Sequence, residues 1–184
     1  MDGGCTIRPA RDEDAAALAA IYRPFVEATS VSFEIEPPSE DAFRERVRAF
    51  GDSHAWLVAE VGGRPVGYAY GSPHRPRAAY RWTAEVSAYV APDSHRSGLG
   101  RRLYEQLFDR LADRGFCTAL AIVTLPNEGS VAFHRRMGFA PVGVFPRAGR
   151  KFGRWHDVLW LSRRLRDEPP HEPDQAGGRR ANSP

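Results

Sequence analysis

Three stretches of the sequence carry residue types at spacings that could do chemistry. The first is His95-Arg96-Ser97-Gly98-Leu99-Gly100-Arg101-Arg102, a glycine-containing turn that leads directly into a stripe of leucines. A helix start presents unpaired backbone N–H groups and a partial positive charge, and glycine lets an anion approach that backbone closely. The turn therefore reads either as a pyrophosphate cradle or as an ordinary passage from strand to helix. Two better-defined phosphate motifs are excluded. A P-loop needs Lys then Ser or Thr after its last glycine, where Arg101 and Arg102 stand, and a dinucleotide fingerprint needs a third glycine at Leu103. The second stretch holds Glu85, which is either a proton acceptor or a solvated or arginine-paired strand carboxylate. The third holds His134, whose unperturbed pKa suits proton transfer near neutrality, though a lone histidine at such a position can equally be structural.

The elements that must position these groups follow from periodicity. Trp82 to Val90 alternates Trp82, Ala84, Val86, Ala88 and Val90 against Thr83, Glu85, Ser87 and Tyr89, so a strand places Glu85 on the more polar face. Leu99, Leu103, Leu107 and Leu111 recur every four residues up to Gly115, the signature of an amphipathic helix with a glycine stop. Before these, Thr6 to Arg8 reads as a short strand. A helix capped by Asp12 and kinked or divided at Pro24 follows, and then a second helix capped by Ser39 with Phe43, Val47 and Phe50 on one face. Ala55 to Val61 and Pro65 to Ser72, joined through Gly62-Gly63-Arg64, read as a hairpin. Cys117 to Leu125 reads as a buried strand and Ser130 to Met137 as a short helix ending at Gly138. Phe139 to Phe145 and Asp157 to Leu161 read as the last strands.

The chain of 184 residues has room for one sizeable core. Its organisation reads as a flexible N-terminus over 1–5, one domain over 6–166 and a disordered polar tail over 167–184, the tail carrying a net charge of −2. No apolar run approaches the roughly 18 residues of a membrane span, and no secretory leader pattern opens the chain, so a cytoplasmic protein without membrane contact is expected. Cys5 and Cys117 are too few and too scattered for a disulfide framework or a metal site, so no metal is expected. The net charge is +3, but the basic residues are spread along the chain, which argues against nucleic acid. All but Lys151 are arginines, the side chain suited to multidentate binding of planar or phosphate-bearing anions.

At this point the sequence resembles the GNAT superfamily of N-acetyltransferases. The turn approximates that superfamily's Gln/Arg-x-x-Gly-x-Gly/Ala motif with His95 at the usual Gln/Arg position, and Asn127 with Ser130 to Phe139 is similar to its second cofactor-side segment, which ends in Gly-Phe. Tyr68-Ala69-Tyr70 through Arg75 to Glu85, then Leu125-Pro126-Asn127, then Lys151 to Asp157 narrow the resemblance to the phosphinothricin and methionine sulfoximine N-acetyltransferases. The similarity runs from about Ile7 to Leu165. It implies an α/β (α+β) fold with a mixed, mostly antiparallel central sheet flanked by helices, and acetyl-CoA as cosubstrate. The backbone of Ala88, Tyr89 and Val90 would hydrogen-bond the pantetheine arm as an added strand does. Arg96, Ser97, Gly98, Leu99, Gly100 and Arg101 would hold the pyrophosphate, and Asn127 would bind the cofactor through its amide. Glu85 is implied as the principal base with His134 assisting, and Phe33, Arg75, Arg77 and Tyr80 as the acceptor-side set. The acceptor is expected to be the amine of a small amino-acid-like molecule, and a homodimer is expected from the family. Acetylation of a peptide or protein terminus, or a non-catalytic CoA-binding sensor, would be compatible with the same cradle.

Overall fold

The protein, seen here as a computed structural model, is described over residues 4–94 and 98–170. The chain runs β1 (Thr6–Pro9), α1 (Ala15–Ala28), α2 (Glu40–His54), β2 (Trp56–Val61), β3 (Arg64–Pro73), β4 (Thr83–Val90), α3 (Leu99–Asp113), β5 (Thr118–Thr124), α4 (Glu128–Arg136), β6 (Ala140–Lys151) and β7 (Arg154–Arg164). The strands form one seven-stranded sheet in the order β1-β2-β3-β4-β5-β7-β6, antiparallel throughout except for β4 and β5. The expected mixed, mostly antiparallel sheet with flanking helices is what the chain forms.

Each face of the sheet buries a different set of helices. The leucine stripe of α3 lies on one face, where Leu103, Leu107 and Leu111 are fully buried against Ala84, Val86, Ala119 and Ala121. Burying a leucine side chain stabilises by about 1.5–3 kcal/mol, so this stripe fixes α3 against β4. Helices α1 and α2 cover the other face at its β1-to-β4 end, through Leu18, Ile21, Tyr22, Val26, Phe43 and Val47 packed on Trp56, Val58 and Tyr68. That cover stops short of β6, most of which is exposed on both sides.

Ser39 caps α2 as expected, its hydroxyl accepting from the Ala42 amide at 3.2 Å. Asp12 caps nothing. It sits in a 3-10 turn over Asp12–Asp14 and pairs with Arg48, while Asp14 accepts from the Arg11 amide at 2.8 Å. Nor does Pro24 divide α1. The ring lies on the exposed face, where the missing N–H and the crowding behind it can be accommodated, while the apolar residues opposite hold the helix to the sheet. The last two strands are longer than expected, closing as a hairpin through Phe152-Gly153, so that Lys151 to Asp157 is a strand turn and its flanks. No helix among the described residues is long and apolar enough to cross a membrane.

Candidate active site

The site originates in an interrupted ladder. β4 pairs with β5 in parallel only from Thr83 with Thr118 to Glu85 with Leu120, whereas its other edge stays paired with β3 as far as Val90. Beyond Glu85 the two strands part, and a cleft opens between them. Val86, Ser87, Ala88 and Tyr89 line one wall, Ile122, Val123 and Thr124 the other, and Tyr104, Asn127, Ser130, Phe133 and His134 the end. A backbone edge released from its ladder can be satisfied by an amide-bearing ligand laid in as an extra strand.

A groove of about 650 Å³ continues this cleft past Ala88 and Val90 to the start of α3, where Gly98, Leu99, Gly100 and Arg101 line it together with Phe25, Ser94, Gly129 and Arg136. Gly98 is the residue before the helix, with φ +75° and open space where a side chain would project. Glycine has two uses here: it adopts this left-handed conformation without strain, and it leaves the first amides of a 15-residue helix uncovered. A helix start of this kind accepts a pyrophosphate, and the residues present therefore fit the phosphate end of a coenzyme A. Arg101 is exposed and paired with Glu105 at 2.7 Å. Arg96 and Ser97 lie outside the described residues, as does His95.

Within the cleft itself, Asn127 and His134 approach from α4. Asn127 is its cap, with Oδ1 accepting from the Ser130 amide at 3.1 Å, so its Nδ2 is the group left for a ligand. His134 is buried, with Nδ1 2.8 Å from the Ser130 carbonyl and Nε2 3.1 Å from the Tyr104 hydroxyl. A carbonyl only accepts, so the proton sits on Nδ1 and Nε2 takes the hydrogen bond from Tyr104. Burial lowers the imidazole pKa more than the Ser130 bond raises it, which keeps the ring neutral. In this arrangement His134 becomes a proton acceptor only when Tyr104 turns its hydroxyl away. Tyr104 gives no signal in the sequence, since it lies one residue off the leucine stripe and looks like a flank of it.

Glu85 lies where the ladder ends, on the same face as Ser87, half exposed, with Oε1 2.8 Å from His74 Nδ1. Beside it, the segment after β3 brings Arg75, Arg77 and Tyr80 to the surface, and the two guanidiniums make no ion pair among the described residues. Phe33 stands apart from that segment, in the loop between α1 and α2. Its ring lies so close to Gly149 of β6 that a Cβ there would come within 2.3 Å of it, and it also faces His156 at 6.1 Å between ring centres. The loop is held by buried groups: Tyr22 and Ser32 share a hydroxyl bond of 2.6 Å, and the Lys151 ammonium donates to the carbonyls of Val26 and Ser32 at 2.6 and 2.8 Å. The bond between Lys151 and Ser32 was not legible in the sequence, because 119 positions separate the two residues.

Comparison with known proteins agrees with this geometry. Residues 17–139 match the acetyltransferase (GNAT) family. The chain is 37% identical over 167 residues to a phosphinothricin N-acetyltransferase of Streptomyces viridochromogenes, covering 91% of each chain. It is 32% identical over 163 residues to an L-methionine sulfoximine/L-methionine sulfone acetyltransferase of Pseudomonas paraeruginosa, covering 87% of this chain and 94% of that one. Among solved structures it superposes with TM-score 0.86 on a GNAT superfamily phosphinothricin acetyltransferase from Sinorhizobium meliloti in complex with acetyl-CoA, at 32% identity over 93% of this chain and 94% of that one.

Proposed function

This chain belongs to the acetyltransferase (GNAT) family, and on that footing we propose that it acetylates the amine of a small amino-acid-like acceptor, such as phosphinothricin or methionine sulfoximine or sulfone, with Glu85 as general base. It is an N-acetyltransferase that uses acetyl-CoA. The observation that carries the proposal is the position of Glu85 at the point where β4 parts from β5, immediately before the residues that line the cleft.

An acceptor ammonium has no lone pair and must lose a proton before its nitrogen can attack a thioester carbonyl. Glu85, half exposed at the mouth of the cleft, takes that proton directly or through a water. Ala88 to Val90 and the start of α3 hold the cosubstrate, which supplies the acetyl group, and the Asn127 amide holds it from the other side. Gly98, Leu99, Gly100 and Arg101 serve its phosphates, with Arg96 and Ser97 assigned to the same task. Arg75 and Arg77 suit the carboxylate or phosphinate of the acceptor, and Tyr80 beside them and Phe33 on the α1–α2 loop are assigned to its apolar contacts. His134 assists by fixing the Tyr104 hydroxyl at the end of the cleft.

Two further assignments accompany this reading. Exposed Val142, Val144 and Phe145 on β6 support a homodimer, and two free thiols support a reducing, cytoplasmic location. Thiol release from acetyl-CoA, followed over a panel of amino acids, methionine sulfoximine, methionine sulfone, phosphinothricin and short peptides, tests the acceptor class. Turnover with the small acceptors supports it, and turnover with peptides alone overturns it. Glu85→Gln is expected to lower kcat about 10²–10⁴-fold at saturating acetyl-CoA; wild-type turnover would remove Glu85 as the base.

A further inference from the structure

Glu85 does not stand alone at the cleft mouth. His74 follows directly on β3, whose Ser72 is aligned with Glu85 across the ladder, and it brings Nδ1 to 2.8 Å from Oε1 of the carboxylate. The imidazole is held in place by rings. Tyr80 meets it edge-on at 5.4 Å and 84°, and Trp160 of β7 does so at 5.8 Å and 77°. Its side chain is 11% exposed against 31% for Glu85, so the histidine lies behind the carboxylate while the carboxylate faces solvent.

We propose that His74 is a positioning residue for Glu85, fixing Oε1 through its Nδ1–H so that Oε2 is the oxygen presented to the acceptor's ammonium. The inference rests on the reading of Glu85 as the base. An ionised carboxylate only accepts hydrogen bonds, so the proton between the two groups is carried by Nδ1. A half-exposed glutamate on a strand otherwise samples several rotamers, each aiming its oxygens differently. One charge-assisted bond to a ring clamped between Tyr80 and Trp160 selects among them, in the way that the third member of a catalytic triad orients the second. When the acceptor reacts, its N–H bond breaks and an O–H bond forms at Oε2, the proton passing to the carboxylate. The nitrogen keeps the electron pair with which it attacks.

The experiment is a double-mutant cycle on the full chain, with steady-state kinetics for both substrates. His74→Phe keeps a ring between Tyr80 and Trp160 but removes the donor. Its kcat is expected to fall about 10-fold to 100-fold, the range for a hydrogen bond to a charged group, with the KM for acetyl-CoA unchanged. His74→Asn, which offers an amide N–H near the position of Nδ1, is expected to recover part of that loss. A residue that only filled space would show no such recovery. On a Glu85→Gln background, His74→Phe is expected to cost nothing further. Wild-type kcat in His74→Phe, or a loss that multiplies with that of Glu85→Gln, overturns the role of His74 while leaving Glu85 in place. Wild-type kcat in Glu85→Gln overturns the base reading itself and this inference with it. Should Phe not be accommodated, His74→Leu asks the same question, and the thermal midpoint together with the KM for acetyl-CoA establishes that each variant is folded.

Discussion

At the scale of single residues, the fold biases the protonation of one buried group at the end of the cleft. His134 is a case where burial and hydrogen bonding act together: desolvation lowers its pKa, and both ring nitrogens are committed to partners that a neutral ring satisfies. The consequence for stability has a definite sign. The unfolded chain binds a proton at this histidine near its ordinary value of about 6.5, while the folded chain does so only at lower pH, so folding becomes less favourable as pH falls through that window. His54, also pushed down by burial and secondarily by Arg114, acts in the same direction. Asp14 adds a loss at lower pH. Burial would raise its pKa, but the Arg8 guanidinium and the Arg11 amide together hold it below the usual carboxylate value, so its contribution vanishes only as pH falls through the acid range. The thermal midpoint is expected to drop between pH 7 and pH 5, and His134→Gln, which keeps a donor and an acceptor but cannot be charged, is expected to flatten that drop. Parallel slopes for the two proteins in a thermal melt series would show that His134 does not carry it.

At the scale of elements, the proposed acceptor side would depend on the fit between the loop after α1 and the β6–β7 hairpin. Gly149 permits that fit, because a methyl group there would come within 2.3 Å of the Phe33 ring. Phe33 is 38% exposed and can swing outward, so Gly149→Ala displaces the ring rather than the sheet. An off-rotamer side chain costs about 0.5–1.5 kcal/mol, and the KM for the acceptor is expected to rise up to about tenfold with that for acetyl-CoA unaffected. An unchanged acceptor KM would place Phe33 outside the acceptor site. The sequence made some of these elements plain and concealed others, for physical reasons. A period of two over Trp82 to Val90 and a period of four over Leu99 to Leu111 were sufficient to place Glu85 and the glycine turn, since local burial alone produces those patterns. β6 was cut short because Pro141, Pro146 and two register shifts break its alternation, and its exposure removes the apolar half of the pattern. His74, Tyr104 and Lys151 make their hydrogen bonds to partners 11, 30 and 119 or more residues away, a distance that periodicity cannot span.

At the scale of the molecule, the sheet is unevenly covered, and the bare part is where the proposed dimer would be built. Helices α1 and α2 shield one face only at the β1-to-β4 end and α3 shields the centre of the other, which leaves β6 as an edge strand with Val142, Val144 and Phe145 between 52% and 64% exposed. An open edge carrying apolar side chains invites pairing with another chain unless charge or a covering element prevents it. Phe152 and Trp155, on the same hairpin, extend the apolar surface toward the end where Lys151 holds the loop that carries Phe33. A dimer built on β6 would therefore cover the hairpin and brace the acceptor loop in one step, with no need to approach the α3 groove. Phe145→Glu tests this, since a charge buried in an interface costs several kcal/mol per ion, which would shift a micromolar sample from dimer to monomer in sedimentation velocity. Turnover is expected to fall through a higher acceptor KM, with the KM for acetyl-CoA retained. A wild-type protein that sediments as a monomer, or a variant that remains a dimer, would place the interface elsewhere and leave the β6 edge without this role.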